Sequence, residues 1–138
     1  MLLGNLIKSA NKKYRNTVIK GVSFDSRKIK KGDIFFAILG KKESGNKFID
    51  EAISKGASAV VSNKFIKNKY FKAPLITVKD TRKSLAEACS NFYKKKPKNI
   101  VAVTGTNGKS SVADFFYQIL NKNKIPVASI GTLGLFSK

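Results

Sequence analysis

A chain of 138 residues can form one ordinary domain or two small ones, and a hydrophobic content of 42% is enough for a packed core. The sequence has no histidine and one cysteine, Cys89, which excludes Ser-His-Asp and Cys-His catalysis, an internal disulfide and the common zinc sites. The net charge of +20 is spread through every segment, so we interpret it as a solvated, lysine-rich surface. A dedicated nucleic-acid-binding module stays open as the alternative.

The N-terminal run MLLGNLIKSA is apolar, but Asn5 and Lys8 interrupt it and no basic region precedes it. It therefore predicts neither a signal peptide nor a membrane span, and the chain is expected to be cytoplasmic. Four apolar residues at helical spacing predict a short first helix instead: Leu3, Leu6, Ile7 and Ala10.

The next eighty residues alternate between strand and helix patterns, which is typical of a small α/β domain. Strands are predicted over residues 18–24, 34–39, 59–61 and 75–78. In the first of them Val18, Val22 and Phe24 alternate with polar or small residues. One predicted helix begins at an Asn46 cap and ends at Gly56, and a second begins at an Asp80 cap. The second helix is expected to turn four residues inward: Leu85, Ala88, Cys89 and Phe92.

A basic run with a proline, KKKPK at residues 94–98, is the clearest boundary in the chain. We therefore predict a first domain over residues 1–96 and the beginning of a second over residues 97–138. The second starts with an apolar run at 100–103, predicted as a strand buried on both faces of a parallel sheet. A second parallel strand is predicted at 127–130, with a turn at 131–134. The intervening helix is expected to bury Val112, Phe115, Phe116, Ile119 and Leu120.

The segment between that strand and that helix predicts a phosphate-binding loop. Two glycines, Gly105 and Gly108, allow a tight turn with backbone N–H groups pointing at an anion, next to the positive end of a helix. Lys109 is expected to reach the β- and γ-phosphates of a nucleotide as the catalytic residue, and the Ser110 hydroxyl to bind Mg²⁺. The predicted nucleotide-binding residues are Gly105, Thr106, Asn107, Gly108, Lys109, Ser110 and Ser111.

The strict pattern G-x-x-x-x-G-K-[ST] would require glycine at Val103, so this loop departs from it. The sequence TGTNGKSS at 104–111 resembles the nucleotide loop of the Mur ligases, in which that first glycine is commonly absent. Folylpolyglutamate synthetases are similar here. The loop alone therefore indicates a superfamily of ATP-dependent ligases.

The first domain carries a second group of motifs, with DSR at 25–27, GDIFFA at 32–37 and GA at 56–57. These resemble the N-terminal domain of the MurE and MurF types, which holds the UDP end of the substrate. The segment ASIGTLG at 128–134 resembles the MurE type more. The resemblance implies that Ser26 contacts the uridine portion, with Phe24 beside it. Three further residues fall in the uridine-side loop: Lys41, Lys42 and Glu43.

This resemblance implies an α/β protein with a small UDP-binding domain, followed by the start of a parallel-sheet ATP domain. It implies a ligase that uses ATP and Mg²⁺ to phosphorylate UDP-MurNAc-L-Ala-D-Glu, after which a third amino acid, diaminopimelate or lysine, attacks the acyl phosphate. The full-length enzyme is expected to be monomeric. Because only about two strands fit after Lys98, we expect an N-terminal fragment that is inactive alone. Asp114 is expected at the surface. A MurF-type ligase and a folylpolyglutamate synthetase remain the nearest alternatives.

Overall fold

The structure, a computed structural model, describes residues 1–40, 43–66 and 73–137. The chain divides into two units, Met1–Lys96 and Pro97–Lys138, which we call unit 1 and unit 2. Within the described ranges no helix has both the length and the apolar character needed to cross a membrane.

Unit 1 contains a parallel sheet in which each strand pairs with the strand before it in the chain. The strands are β1 (Gly21–Ser23), β2 (Asp33–Ala37), β3 (Ala59–Ser62) and β4 (Leu75–Thr77). The helices are α1 (Leu3–Leu6), α2 (Ile49–Ser54) and α3 (Thr81–Phe92). Short 3₁₀ turns lie at Lys12–Tyr14, Ser26–Lys28 and Gly45–Phe48. The predicted α/β fold is confirmed for this unit.

The two central strands are buried on both faces, as their continuous apolar runs predict. Successive side chains point to opposite sides of a sheet, so β2 contributes to two separate cores. Phe36 packs in a cluster that includes residues of α1 and α3, and Phe35 packs in one that includes residues of α2. The sheet is therefore covered on both faces, which a parallel sheet requires.

The first predicted strand is only partly correct. The side chains of Val18 and Phe24 are 56% and 65% exposed, whereas Ile19 is fully buried. Val18 forms an antiparallel bridge with Leu2, and the Ile19 backbone N–H donates to the Met1 carbonyl. Because side chains alternate along an extended segment, this N-terminal pairing turns Ile19 inward and Val18 outward.

The predicted helix ends of unit 1 are confirmed at two of three positions. The Asp80 carboxylate accepts from the backbone N–H groups of Arg82 and Lys83, and Gly56 ends α2 with a φ of +98°. The Asn46 cap is wrong. A 3₁₀ turn precedes α2, its cap is Ser44, and the Asn46 side chain instead accepts from the Ser62 hydroxyl at 2.8 Å.

Unit 2 consists of α4 (Lys109–Lys122), β5 (Ala128–Gly131) and β6 (Gly134–Ser137). The predicted helix and the turn after Ile130 are confirmed. The first predicted parallel strand is wrong, because residues 100–103 form no strand. The strand predicted at 127–130 exists as β5, but it pairs antiparallel with β6 and not parallel as predicted. The reason is geometric, since Gly134 has a φ of +106° and lets the chain fold straight back, giving β5 a neighbour through a short turn.

The apolar face predicted for the unit 2 helix exists, but it is not buried. α4 packs against β5, and its Tyr117 ring lies 6.2 Å from the Phe136 ring. Four of the five predicted inward residues are nevertheless exposed: Val112, Phe115, Phe116 and Ile119. The periodicity correctly identified an amphipathic helix, but the described residues of unit 2 provide no layer over that face.

Amide hydrogen exchange should be slower in the sheet of unit 1 than in unit 2. We expect slow exchange at Phe36 and Val61, whose strands are hydrogen-bonded and buried, and much faster exchange at Ile100 and Ile130. Ile100 is 80% exposed and belongs to no strand. Exchange followed by NMR or mass spectrometry on a demonstrated monomer measures this difference. Equal protection in the two regions would contradict it.

Candidate functional site

The predicted phosphate-binding loop has the backbone geometry that anion binding needs. Gly105 and Gly108 have φ values of +144° and +75°, which side-chain-bearing residues rarely adopt. Gly108 is the N-cap of α4, and its carbonyl accepts from the Val112 N–H. The backbone N–H groups of residues 109–111, which precede Val112, therefore have no partner within the helix. No acidic residue lies in the first turn, so nothing there repels a phosphate.

Lys109 folds back over this loop. Its Nζ donates to the Gly105 carbonyl at 2.5 Å and to the Thr106 carbonyl at 2.8 Å. The side chain is exposed, so an incoming phosphate could reach the ammonium group by replacing these carbonyl contacts. The predicted nucleotide-binding residues Thr106, Asn107 and Ser111 are also exposed.

A small cavity of about 20 Å³ adjoins the first turn of α4. Its lining includes the polar side chains of Ser110, Asp114, Ser129 and Thr132. Asp114 is half-buried and accepts from the Gln118 amide at 2.7 Å. Hydroxyl and carboxylate oxygens are the ligands that Mg²⁺ prefers, so this donor set fits the ion. Among the described residues no group of three His, Cys, Asp or Glu could hold a metal alone.

The predicted uridine-side residues lie in unit 1, where the chain leaves β1. Phe24 presents an exposed ring directly after the strand. Ser26 begins the next 3₁₀ turn and is buried, and its hydroxyl donates to the Glu51 carboxylate of α2 at 2.7 Å. Glu43 is exposed, and the predictions for Lys41 and Lys42 fall outside the described residues.

Glu51 is a residue that the sequence reasoning missed. Its carboxylate also accepts from Lys55 Nζ at 2.6 Å, and the hydrogen bonds from Lys55 and then Ser26 hold its pKa below the usual range. The only signal in the sequence was an acidic and a basic residue four positions apart on a predicted helix. Glu51 thus ties the turn that contains Ser26 to α2.

Asp25 and Arg27 form an ion pair at the start of the same turn. The guanidinium donates to the carboxylate through Nε at 2.9 Å and Nη2 at 2.8 Å, and the Arg27 backbone N–H donates at 3.0 Å. The side-chain hydrogen bond from Arg27 is the main cause that lowers the pKa of Asp25 to about 2. The Arg27 side chain is 82% exposed and that of Asp25 is 20% exposed, so solvent screens the pair, and its role is to shape the turn more than to stabilise the fold.

This ion pair gives a pH-dependent prediction. Because the folded pKa of Asp25 is depressed, its interaction with Arg27 is complete above the ordinary carboxyl pKa and is lost as the pH falls towards about 2. In Arg27→Ala the pKa of Asp25 should rise towards the ordinary 3.8. Carboxyl chemical shifts followed through an NMR titration measure it. Lys28→Ala, which removes the weakest of the causes, should raise it less, and an unchanged pKa in Arg27→Ala would contradict the assignment.

Comparison with known families identifies the chain. The model of the Mur ligase family, catalytic domain, matches residues 18–93, which is more than half of the sequence. The chain belongs to the Mur ligase family. The family predicted from the sequence motifs is therefore confirmed.

Individual relatives of this Mur ligase chain share one name. It is 44% identical over 125 residues to the UDP-N-acetylmuramoyl-L-alanyl-D-glutamate--2,6-diaminopimelate ligase of Rickettsia prowazekii, covering 91% of the chain and 26% of that protein. The ligase of the same name from Bradyrhizobium diazoefficiens is 44% identical over 119 residues, covering 86% of the chain and 24% of the relative. The chain thus spans about a quarter of the length of the curated relatives it matches.

Solved structures of Mur ligases have the same fold. A UDP-N-acetylmuramoyl-L-alanyl-D-glutamate--2,6-diaminopimelate ligase aligns over 99% of this Mur ligase chain and 28% of its own, with a TM-score of 0.78 and 24% identity. The MurF ligase from Thermotoga maritima in complex with ADP aligns over 80% of the chain and 24% of its own, with a TM-score of 0.61 and 29% identity.

Proposed function

We propose that this chain forms the uridine-binding and nucleotide-binding part of a ligase that attaches 2,6-diaminopimelate to UDP-N-acetylmuramoyl-L-alanyl-D-glutamate at the expense of ATP. The observation that carries the proposal is the similarity to relatives of that name, which extends over 91% of the chain. In the proposed reaction ATP phosphorylates the D-glutamate carboxylate, and the amine of diaminopimelate displaces the phosphate from the acyl phosphate.

The proposed role of unit 2 is to position the ATP polyphosphate and to offset its charge. Backbone N–H groups of residues 105–111 would surround the phosphates, and Lys109 would exchange its two carbonyl contacts for β- and γ-phosphate oxygens. Ser110 would hold the magnesium ion, which when bound neutralises charge on the phosphates. ATP and Mg²⁺ are thus the proposed cofactors.

The proposed role of unit 1, Met1–Lys96, is to hold the UDP end of the substrate. Phe24 offers an exposed aromatic face at the carboxyl end of β1, the edge of a parallel sheet at which ligands bind. The proposed uridine-side set is Phe24, Ser26, Lys41, Lys42 and Glu43. Within this set the Ser26 hydroxyl already donates to the Glu51 carboxylate. We therefore propose that uridine contacts the backbone of this turn as well as the Ser26 side chain.

The alternatives have less support. The Rickettsia and Bradyrhizobium relatives described above, which cover 91% and 86% of the chain, carry the diaminopimelate ligase name. No observation specifically favours a folylpolyglutamate synthetase. The net charge of +20 is the one feature that a nucleic-acid-binding module would share.

Nucleotide titrations of the ¹⁵N-labelled chain followed by NMR test the proposal. UDP should shift amide signals around Phe24 and Ser26, and ADP with Mg²⁺ should shift those of residues 105–111. Each nucleotide serves as the control for the other, because the two differ in base and in predicted site. If neither shifts any amide, while mixed-sequence RNA binds with a steep salt dependence, the nucleic-acid alternative replaces this proposal.

A further inference from the structure

The turn of the unit 2 hairpin brings a second hydroxyl group to the phosphate-binding loop. Thr132 lies between β5 and β6, and its Oγ1 is 3.3 Å from Ser110 Oγ in the first turn of α4. Both side chains are exposed, and both line the small cavity beside the loop. A ligand at the loop could therefore reach the pair.

The chemistry of a hydroxyl ligand makes this neighbour important. To bind a cation, Ser110 must direct an oxygen lone pair at the ion, so its proton must point away from the ion towards an acceptor. In the described part of the chain, the side-chain oxygen within hydrogen-bond distance of Ser110 Oγ is Thr132 Oγ1. At 3.3 Å the contact is longer than a good O–H···O bond of about 2.7 Å, so a bound cation could strengthen it.

We propose that Thr132 is a positioning residue for the nucleotide-bound magnesium ion: its Oγ1 accepts the Ser110 proton and thereby holds the Ser110 lone pair towards the ion. The inference rests on the proposed function, since it requires a magnesium nucleotide at the loop. It assigns the hairpin turn a role in cation binding that the loop motif alone does not predict.

This role differs from a general contribution to folding or phosphate binding. Thr132 acts on the cation through Ser110, so its removal should weaken magnesium binding to the ADP complex. It should leave the affinity for ADP without magnesium unchanged, because the loop amides and Lys109 make those contacts. In a chain that already lacks the Ser110 hydroxyl, removal of the Thr132 hydroxyl should not weaken magnesium binding further.

The experiment is a calorimetric titration of Mg²⁺ into the 138-residue chain saturated with ADP. Thr132→Val, which keeps the shape and removes the hydroxyl, should weaken the apparent magnesium affinity about five- to tenfold, the typical effect of one lost hydrogen bond. Thr132→Ser should restore the wild-type value. Ser137→Ala removes an exposed hydroxyl from β6 of the same hairpin, outside the cavity lining, and is the matched control.

Each outcome decides the question. Wild-type magnesium affinity in Thr132→Val overturns this inference and leaves the proposed function intact. The inference is also overturned if Thr132→Val lowers the magnesium affinity of Ser110→Ala as much as it lowers that of the wild type, because Thr132 would then not act through Ser110. If the wild-type chain binds no ADP with or without magnesium, both the inference and the nucleotide part of the proposed function fail. ¹H–¹⁵N spectra of each variant verify that the fold is retained.

Discussion

Replacement of Lys109 by alanine is expected to abolish measurable binding of magnesium ADP to this chain. The ammonium group is held over the loop by the Gly105 and Thr106 carbonyls, which is where it can exchange to phosphate oxygens. Hydrogen bonds to charged groups contribute about 1.5–3 kcal/mol each, so loss of two should weaken binding by about 100-fold or more. Isothermal titration calorimetry with ADP at saturating Mg²⁺ measures the loss.

The control for that experiment is Lys122→Ala. Lys122 is exposed in the last turn of the same helix, so its replacement makes the same change in net charge at the opposite end of α4. Its affinity for magnesium ADP should remain within about twofold of the wild type, because exposed charges farther away than a Debye length of about 8 Å are largely screened. Equal affinities in Lys109→Ala and in the wild type would show that the loop does not bind nucleotide as proposed.

Replacement of Phe36 by alanine should have the largest effect on stability. Phe36 is fully buried in β2, one of the two central strands, and packs in the cluster that includes residues of α1 and α3. Such a truncation costs about 3–5 kcal/mol, which is a large fraction of the roughly 5–15 kcal/mol that typically stabilises a domain. Unit 1 should therefore unfold at a much lower urea concentration, as followed by circular dichroism.

Phe65→Ala provides the matched control, because it is the same substitution at a side chain that is 79% exposed. Its free energy of unfolding should stay within about 0.5 kcal/mol of the wild type. If both variants shift the urea midpoint equally, the placement of Phe36 in the core of unit 1 would be contradicted. The comparison needs no ligand, so it tests the fold independently of the proposed function.

Several features could be predicted from the sequence because they depend on nearby residues. Strands β2 and β3 have continuous apolar runs, and such runs are buried whichever neighbours cover them. The cap at Asp80 and the glycine at Gly56 depend on the local backbone. The tight turn before α4 is similar, since its two glycines occur within four residues of each other at the start of the predicted helix.

Two of the features that were missed depend on partners that are distant in the sequence, and a third depends on a local turn. The pairing of Leu2 with Val18 reverses the faces of the first strand, and nothing near Val18 indicates it. A parallel neighbour was expected for the strand at residues 127–130, whereas Gly134 allows an antiparallel one. The bond between Ser26 and Glu51 joins residues 25 positions apart, and one-dimensional spacing does not reveal it.

The consecutive strand order of unit 1 also bears on how the chain forms during synthesis. Each strand of the sheet pairs with the one made immediately before it, so every new strand finds its partner already present on the ribosome. The packing of unit 1 is complete only after α3 has been synthesised, because α3 packs against α1 at the other end of the unit's sequence. Because α3 precedes residues 105–111 in the chain, unit 1 can finish folding before that loop emerges.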